Sequence, residues 1–165
     1  MRYKRLAKEQ LEELHQEFIN FLATQSITGE EWEGIKKDKP EVAEAEVDVF
    51  CDLVWEGVLN KVENLEHFSK DQIHLFYLAK EKMHLIAIKV KKDDVDLLTE
   101  EGYKWLQGNL LDDQVSFFNA TKEYSEDKNL DKFKLIEQGA QITKGDLYEY
   151  FAKLLESQKK QEIKK

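Results

Sequence analysis

The sequence predicts an α+β fold: a mainly helical single domain built around a small three-stranded antiparallel β-meander. Three observations carry that expectation. Apolar residues recur at spacings of three and four over most of the chain, the rhythm of amphipathic helices. Two short apolar runs, IHLFYL and MHLIAIKV, break that rhythm and are separated by polar, turn-like residues. The chain has 165 residues, 41% of them hydrophobic, with nine Phe, six Tyr and three Trp, enough to fill one core without disulfides or a structural metal. No repeat, low-complexity tract or Gly/Ser/Pro-rich linker marks a second domain. The expected domain spans residues 1–158, and the lysine-rich tail, 159–165, is expected to fray.

The elements follow in order. From Lys8 to Gln25, Leu11, Leu14, Phe18, Phe21 and Leu22 share one helical face. Thr28 with Glu31 forms a capping box for a short helix through Trp32 and Ile35. Pro40 suits a first helical turn, because that turn leaves its N–H groups unpaired anyway. The helix it opens should run to about Val62, with Val47, Val49, Phe50, Leu53, Val54, Trp55, Val58 and Leu59 apolar around so much of its circumference that it is expected at the centre of the fold.

The meander occupies Asn64 to Lys91. Two-residue turns at Lys70-Asp71 and Lys80-Glu81 would set His67 opposite His74 and Tyr77 opposite His84. A competing reading takes Ser69 and Gln72 as a capping box, with Ile73, Phe76 and Tyr77 as a helical face. Thr99 then caps a helix containing Tyr103, Trp105 and Leu106, and Asp112 is read as opening another through Val115 and Phe118. Residues 130–138 suit helix or strand. Asn129 before them and Gly139 after them fit the N-cap and C′ positions and favour helix. Thr143 and Asp146 fit a cap for a terminal helix carrying Leu147, Phe151, Leu154 and Leu155.

Composition narrows the function classes. Cys51, unpaired in a chain with one cysteine, fits a reducing compartment. The opening MRYKRLAKEQLEEL lacks the apolar run of a secretion signal, and no stretch approaches the ~18 apolar residues of a membrane span. A cytoplasmic location without membrane attachment is expected. A net charge of −9 disfavours nucleic acid, and the basic cluster Arg2, Lys4, Arg5 and Lys8 reads as a solvated terminus.

Glu44, Asp48, Asp52 and Glu56 recur every fourth residue and should form one acidic ridge. Like charges so spaced cost about 0.2–0.5 kcal/mol per pair. From Asp38 to Glu56 seven acids face one base, Lys39, so most of the net charge sits in one helix. The ridge suits a basic protein surface or a hard divalent cation, although a solvated face is the simpler reading and no dedicated calcium loop accompanies it. Trp32, on its short helix, is the tryptophan most suited to anchor a partner.

His67 and His74, paired on one sheet face, could ligate a transition metal, whereas His84 would lie on the opposite face. A zinc or iron centre needs three or four converging ligands, so a half-buried polar ladder is the simpler reading. Glu12 with His15 makes one Glu-x-x-His step of the kind di-metal bundles use in pairs; the other match, Glu81 to His84, falls in the expected turn and strand. Cys51 lies in the most apolar helix, where a thiol packs as a small hydrophobe. No nucleophile elbow, Walker loop, dinucleotide fingerprint, His-Glu-x-x-His or Cys-x-x-Cys is present. No catalytic residue and no cofactor is therefore assigned.

The segments EFINFLATQSITGEEW, VFCDLVWEGVLNKVENLEH, GYKWLQGNLLDD and DKNLDKFKLIEQGAQITKG together resemble a bacterial family described only as a domain of unknown function. The resemblance implies a bacterial, cytoplasmic, single-domain protein and brings no activity, cofactor or catalytic residue with it. The leading expectation is a non-enzymatic interaction or structural domain with an acidic helix face. The alternative is a metal-dependent enzyme or small-ligand binder using His67 and His74. A second copy pairing through an uncovered sheet edge is a further expected partner.

Overall fold

The computed structural model describes residues 1–163. The fold is α+β, and the chain divides into two compact units, Met1–Lys61 and Val62–Lys165. The last two residues of the tail expected to fray lie outside the described residues.

The first unit is helical. An extended arm, residues 1–7, leads into α1 (Lys8–Glu13) and α2 (His15–Thr24). The single helix expected over this stretch is interrupted at Leu14, whose ψ of 20° leaves the helical region. The break is local, because Leu14 N–H still donates to Gln10 O and Phe18 N–H to Leu14 O. At the end of α2, Ser26 takes φ 61°, Ile27 N–H donates to Leu22 O and Ser26 N–H to Ala23 O, a Schellman stop built on serine.

α3 (Gly29–Asp38) opens with the expected capping box: Thr28 Oγ1 accepts from Glu31 N–H, and the Glu31 carboxylate accepts from Thr28 N–H. Pro40 begins α4 (Pro40–Lys61) as expected. Phe18, Phe21, Trp32 and Phe50 form an aromatic cluster with ring centroids 5.1 to 6.0 Å apart. α4 is not wrapped on all sides: Phe50, Cys51 and Leu59 are buried, but Val49 and Leu53 are 51% and 55% exposed. The helix has more apolar positions than its neighbours have surface to cover.

The second unit holds the sheet. β1 (Asn64–Phe68), β2 (Gln72–Leu78) and β3 (Lys82–Val90) form the expected meander in the expected register, with His67 opposite His74 and Tyr77 opposite His84. Both two-residue turns form, closed by Ser69 N–H to Gln72 O and Ala79 N–H to Lys82 O. The sheet nevertheless has five strands, ordered β4-β3-β2-β1-β5.

β4 (Val115–Glu123) replaces the helix expected from Asp112. Asp112 instead makes a turn, its carboxylate accepting from Gln114 N–H and its carbonyl from Val115 N–H. The sequence VSFFNATKE carries β-branched and aromatic residues at period two, and nine residues of β3 are available to pair with it. β5 (Gln141–Ile142) adds two residues beside β1. The edges anticipated on a three-stranded sheet are therefore taken up, fully on β3 and in part on β1, and the outer strands are β4 and β5.

Helices α5 (Glu100–Gly108) and α7 (Asp146–Ile163) cover one sheet face. Ile73, Leu75, Ile86, Ile88 and Val90 meet Leu106 and Phe151 there in the main core. Thr99 caps α5 as expected, its Oγ1 accepting from Gly102 N–H. The cap expected from Thr143 and Asp146 does not form: Thr143 stands three residues before α7, its Oγ1 accepting from Gly145 N–H, and Asp146 is the first helical residue. α6 (Lys128–Glu137) settles 130–138 as helix, although Asp127 rather than Asn129 is its N-cap, accepting from Leu130 N–H. Gly139, φ 115°, ends it with the same two Schellman bonds, Ala140 N–H to Leu135 O and Gly139 N–H to Ile136 O.

Candidate functional site

The acidic ridge forms as expected, and the chain's own arm lies on it. The Arg2 and Tyr3 N–H groups donate to Asp52 at 2.7 and 2.9 Å. The Arg2 guanidinium and the Tyr3 hydroxyl donate to Glu56 at 3.2 and 2.5 Å. Arg5 donates to Asp48 at 2.6 and 3.0 Å and to the Glu44 carboxylate, and these acceptors push its pKa further up, Asp48 first. Trp55 Nε1–H donates to Lys4 O, whose ammonium stands 5.7 Å from the indole ring centre. Arg2 and Arg5, two of the four residues in the basic cluster read as a solvated terminus, supply counter-charge to the like-charged ridge. Trp32 is half-buried, edge-on to Phe18 at 5.2 Å, and packs with the aromatic cluster.

His67 and His74 meet across β1 and β2 with ring centroids 6.3 Å apart and planes at 88°. His74 Nε2 bonds Gln72 Oε1 at 3.0 Å. Burial, then the neighbouring His67, lowers the His74 pKa. Among the described residues no group of three or more His, Cys, Asp or Glu side chains comes together around a metal-sized site. The pair supplies two donors where a zinc or iron centre needs three or four.

Two grooves flank the sheet. The one between α5 and α7 is an open groove of about 370 Å³ lined by residues that include Tyr103, Leu106, Asp146, Tyr150 and Phe151. Glu66 on β1 shares that sheet face, and burial, then Asp146, raises its pKa. Tyr103 is raised by burial, then by Glu66 and Tyr150. Leu106 and Phe151 belong to the main core, so this groove is a seam in the packing.

The other groove lies on the opposite face. Its floor is Phe76, Met83, Leu85 and Ala120, which the register places side by side: Leu85 pairs with both Phe76 and Ala120, and Met83 with Lys122. Asp131, Lys134 and Leu135 of α6 and its C-cap Gln138 form its wall, Lys122 also lines it, and the open groove holds about 360 Å³. Local chemistry fixes that wall. The Asp131 carboxylate accepts from Ser125 N–H at 2.6 Å and Ser125 Oγ–H at 2.8 Å. The buried Lys132 ammonium donates to Val62 O at 3.2 Å, with its pKa lowered first by burial. Tyr124 donates to Ala79 O at 2.6 Å, and burial, then Asp131 and Tyr77, pushes its pKa up to about 12.

This groove escaped the sequence reading because Ala120 and Lys122 sit on the strand read as helix. The alternation in VSFFNATK was the available signal. Lys122 and Lys134 make no ion pair among the described residues. Among those residues no helix is long and apolar enough to cross a membrane. No curated protein and no solved structure matches the chain. A family model matches residues 1–156, and the chain belongs to that family, the family of unknown function DUF6495.

Proposed function

We propose that the protein is a non-enzymatic ligand-binding domain whose site is the groove between α6 and the sheet. The observation that carries this reading is an apolar floor, Phe76, Met83, Leu85 and Ala120, walled by a helix that side-chain hydrogen bonds hold in place. Small-molecule sites combine such a floor with a few polar groups at the rim, in volumes of roughly 300–1,000 Å³. A fragment screen by ¹H–¹⁵N NMR tests it. Binders should shift amides of β2, β3, β4 and α6 around the groove, and Ala120→Trp, a bulky change at an exposed position, should abolish those shifts. Binders that shift only other regions, or that bind Ala120→Trp equally well, defeat the proposal.

The interaction-domain reading of the α4 ridge keeps one specific support, its fit to an Arg-x-x-Arg segment. A basic partner would have to displace Arg2, Tyr3 and Arg5. Deleting residues 1–7 should then create binding to an arginine-rich peptide that the full chain lacks; no gain in binding rules this reading out.

A further inference from the structure

We infer that the ligand of the α6 groove is a small amphipathic monocarboxylate, its apolar body on Phe76, Met83, Leu85 and Ala120 and its carboxylate between Lys122 and Lys134. This rests on the groove being a binding site and adds the chemical class of its ligand.

Charge selects the sign. Two lysines against one carboxylate, Asp131, leave one net positive charge among the Lys and Asp side chains of the lining, and the His84 Nδ1 is engaged by Thr121 Oγ1. Asp131 accepts from Ser125 with both oxygens and pairs directly with neither lysine, so its charge lowers the sum while both ammonium groups stay open to a ligand. One unit of ligand charge therefore balances the site. The two ammonium groups are free for it, since neither makes an ion pair among the described residues.

The helix limits the charge to one. The wall residues Lys134, Leu135 and Gln138 belong to the last turn and C-cap of α6, where the carbonyl ends of the helix dipole point outward and oppose extra negative charge. No arginine lines the groove, and it lies at the wrong end of α6 for the N–H cradle that phosphates use. Lysine, a point charge on a flexible stem, suits a carboxylate at the mouth of an apolar slot.

The test compares three ligands of one chain length, octanoate, octanol and octylamine, titrated into the full-length protein and followed by NMR and calorimetry. Octanoate should bind at the groove about fivefold more tightly than octanol, the upper factor expected of a single exposed ionic contact. It should lose that margin as salt is raised, while octanol should not. Octylamine should bind weakest. The double reversal Lys122→Glu with Lys134→Glu should invert the order of octanoate and octylamine. Should that variant not fold, Lys122→Gln and Lys134→Gln, each at an exposed position, should each narrow the margin.

Equal binding of octanoate and octanol at the groove, unaffected by the lysine variants, overturns the carboxylate inference and leaves the binding-site reading standing. Absence of binding by all three, or shifts confined to other regions, overturns both.

Discussion

In residues 1–61 the longest helix carries four carboxylates in a row, and an extended arm meets them with two guanidinium groups, a tyrosine hydroxyl and two backbone N–H groups. In residues 62–163 the central strands meet α5 and α7 almost wholly through Ile, Leu, Val and Phe. The first arrangement is held at the surface by charge, so solvent and salt act on it directly. The second is held by area removed from water, which salt screening leaves untouched. The two units should therefore respond differently to cavities, salt and pH.

The largest difference should come from the sheet core. Ile88 is fully buried between strands and helices, and Ile88→Ala removes methyl groups that nothing can replace. About 2–5 kcal/mol of stability should be lost, read as a lower urea midpoint. A loss below about 1 kcal/mol would mean that the site collapses around the deletion and that the core is less tightly packed than its burial implies.

A sharper comparison lies in the two Schellman stops, which use the same pair of hydrogen bonds with different residues in the left-handed position. Ser26 ends α2 at φ 61° and Gly139 ends α6 at φ 115°. A Cβ at Gly139 would also press on the His67 ring. Gly139→Ala should cost more than about 1 kcal/mol, from backbone strain and displacement of His67. Ser26→Gly relieves strain but frees the unfolded chain, so it should move stability by only a few tenths of a kcal/mol. Equal and opposite shifts would show that the His67 contact adds nothing.

These contrasts explain what could be read from the sequence. The meander, its register, the capping box at Thr28 and Glu31, and the start of α4 at Pro40 depend on residues close in sequence, and all were legible. β4 was misread because Val115 and Phe118 also fit helical spacing, and only the pairing with β3, some thirty residues away, decides between the two periods. The same non-local pairing hid the α6 groove. The arm's role was invisible for a related reason: Arg2 and Arg5 meet partners 39 to 54 residues distant. The ridge's need for compensation was legible; its source was not.

The arm should give a smaller effect than the core. Arg5 is about one-third exposed and its partners are as open or more so, so Arg5→Ala should cost about 0.2–1 kcal/mol for each ion pair lost. The effect should shrink as salt is raised from 0.05 to about 0.5 M, where the screening length falls by roughly threefold. Amide exchange of Arg2 and Tyr3, whose N–H groups donate to Asp52, should quicken in the variant. Unchanged exchange would assign the arm's placement to Leu6 and Tyr3, both buried, rather than to charge.

The smallest effect should be a change in the shape of the pH profile. His74 is half-buried, and its folded pKa lies below its ordinary value because burial, then His67, disfavours the imidazolium. The unfolded chain therefore takes up the proton first as pH falls below about 6.5. Stability conferred by neutral His74 is complete above that pH, declines as pH drops through the window toward the folded pKa, and then levels off. Glu66 acts in the opposite sense: its folded pKa is raised by burial and by Asp146, so its ionisation lowers stability as pH rises above about 4.5. Urea midpoints of wild type and His74→Phe between pH 5 and 8 separate the two, since the substitution removes one titration and leaves the other. The difference between the curves should be flat above pH 7 and widen toward pH 5 in favour of the variant. A difference that stays flat throughout would mean that His74 titrates alike in the folded and unfolded chain, and that water reaches its ring more freely than the strand pairing with His67 and Ala87 suggests.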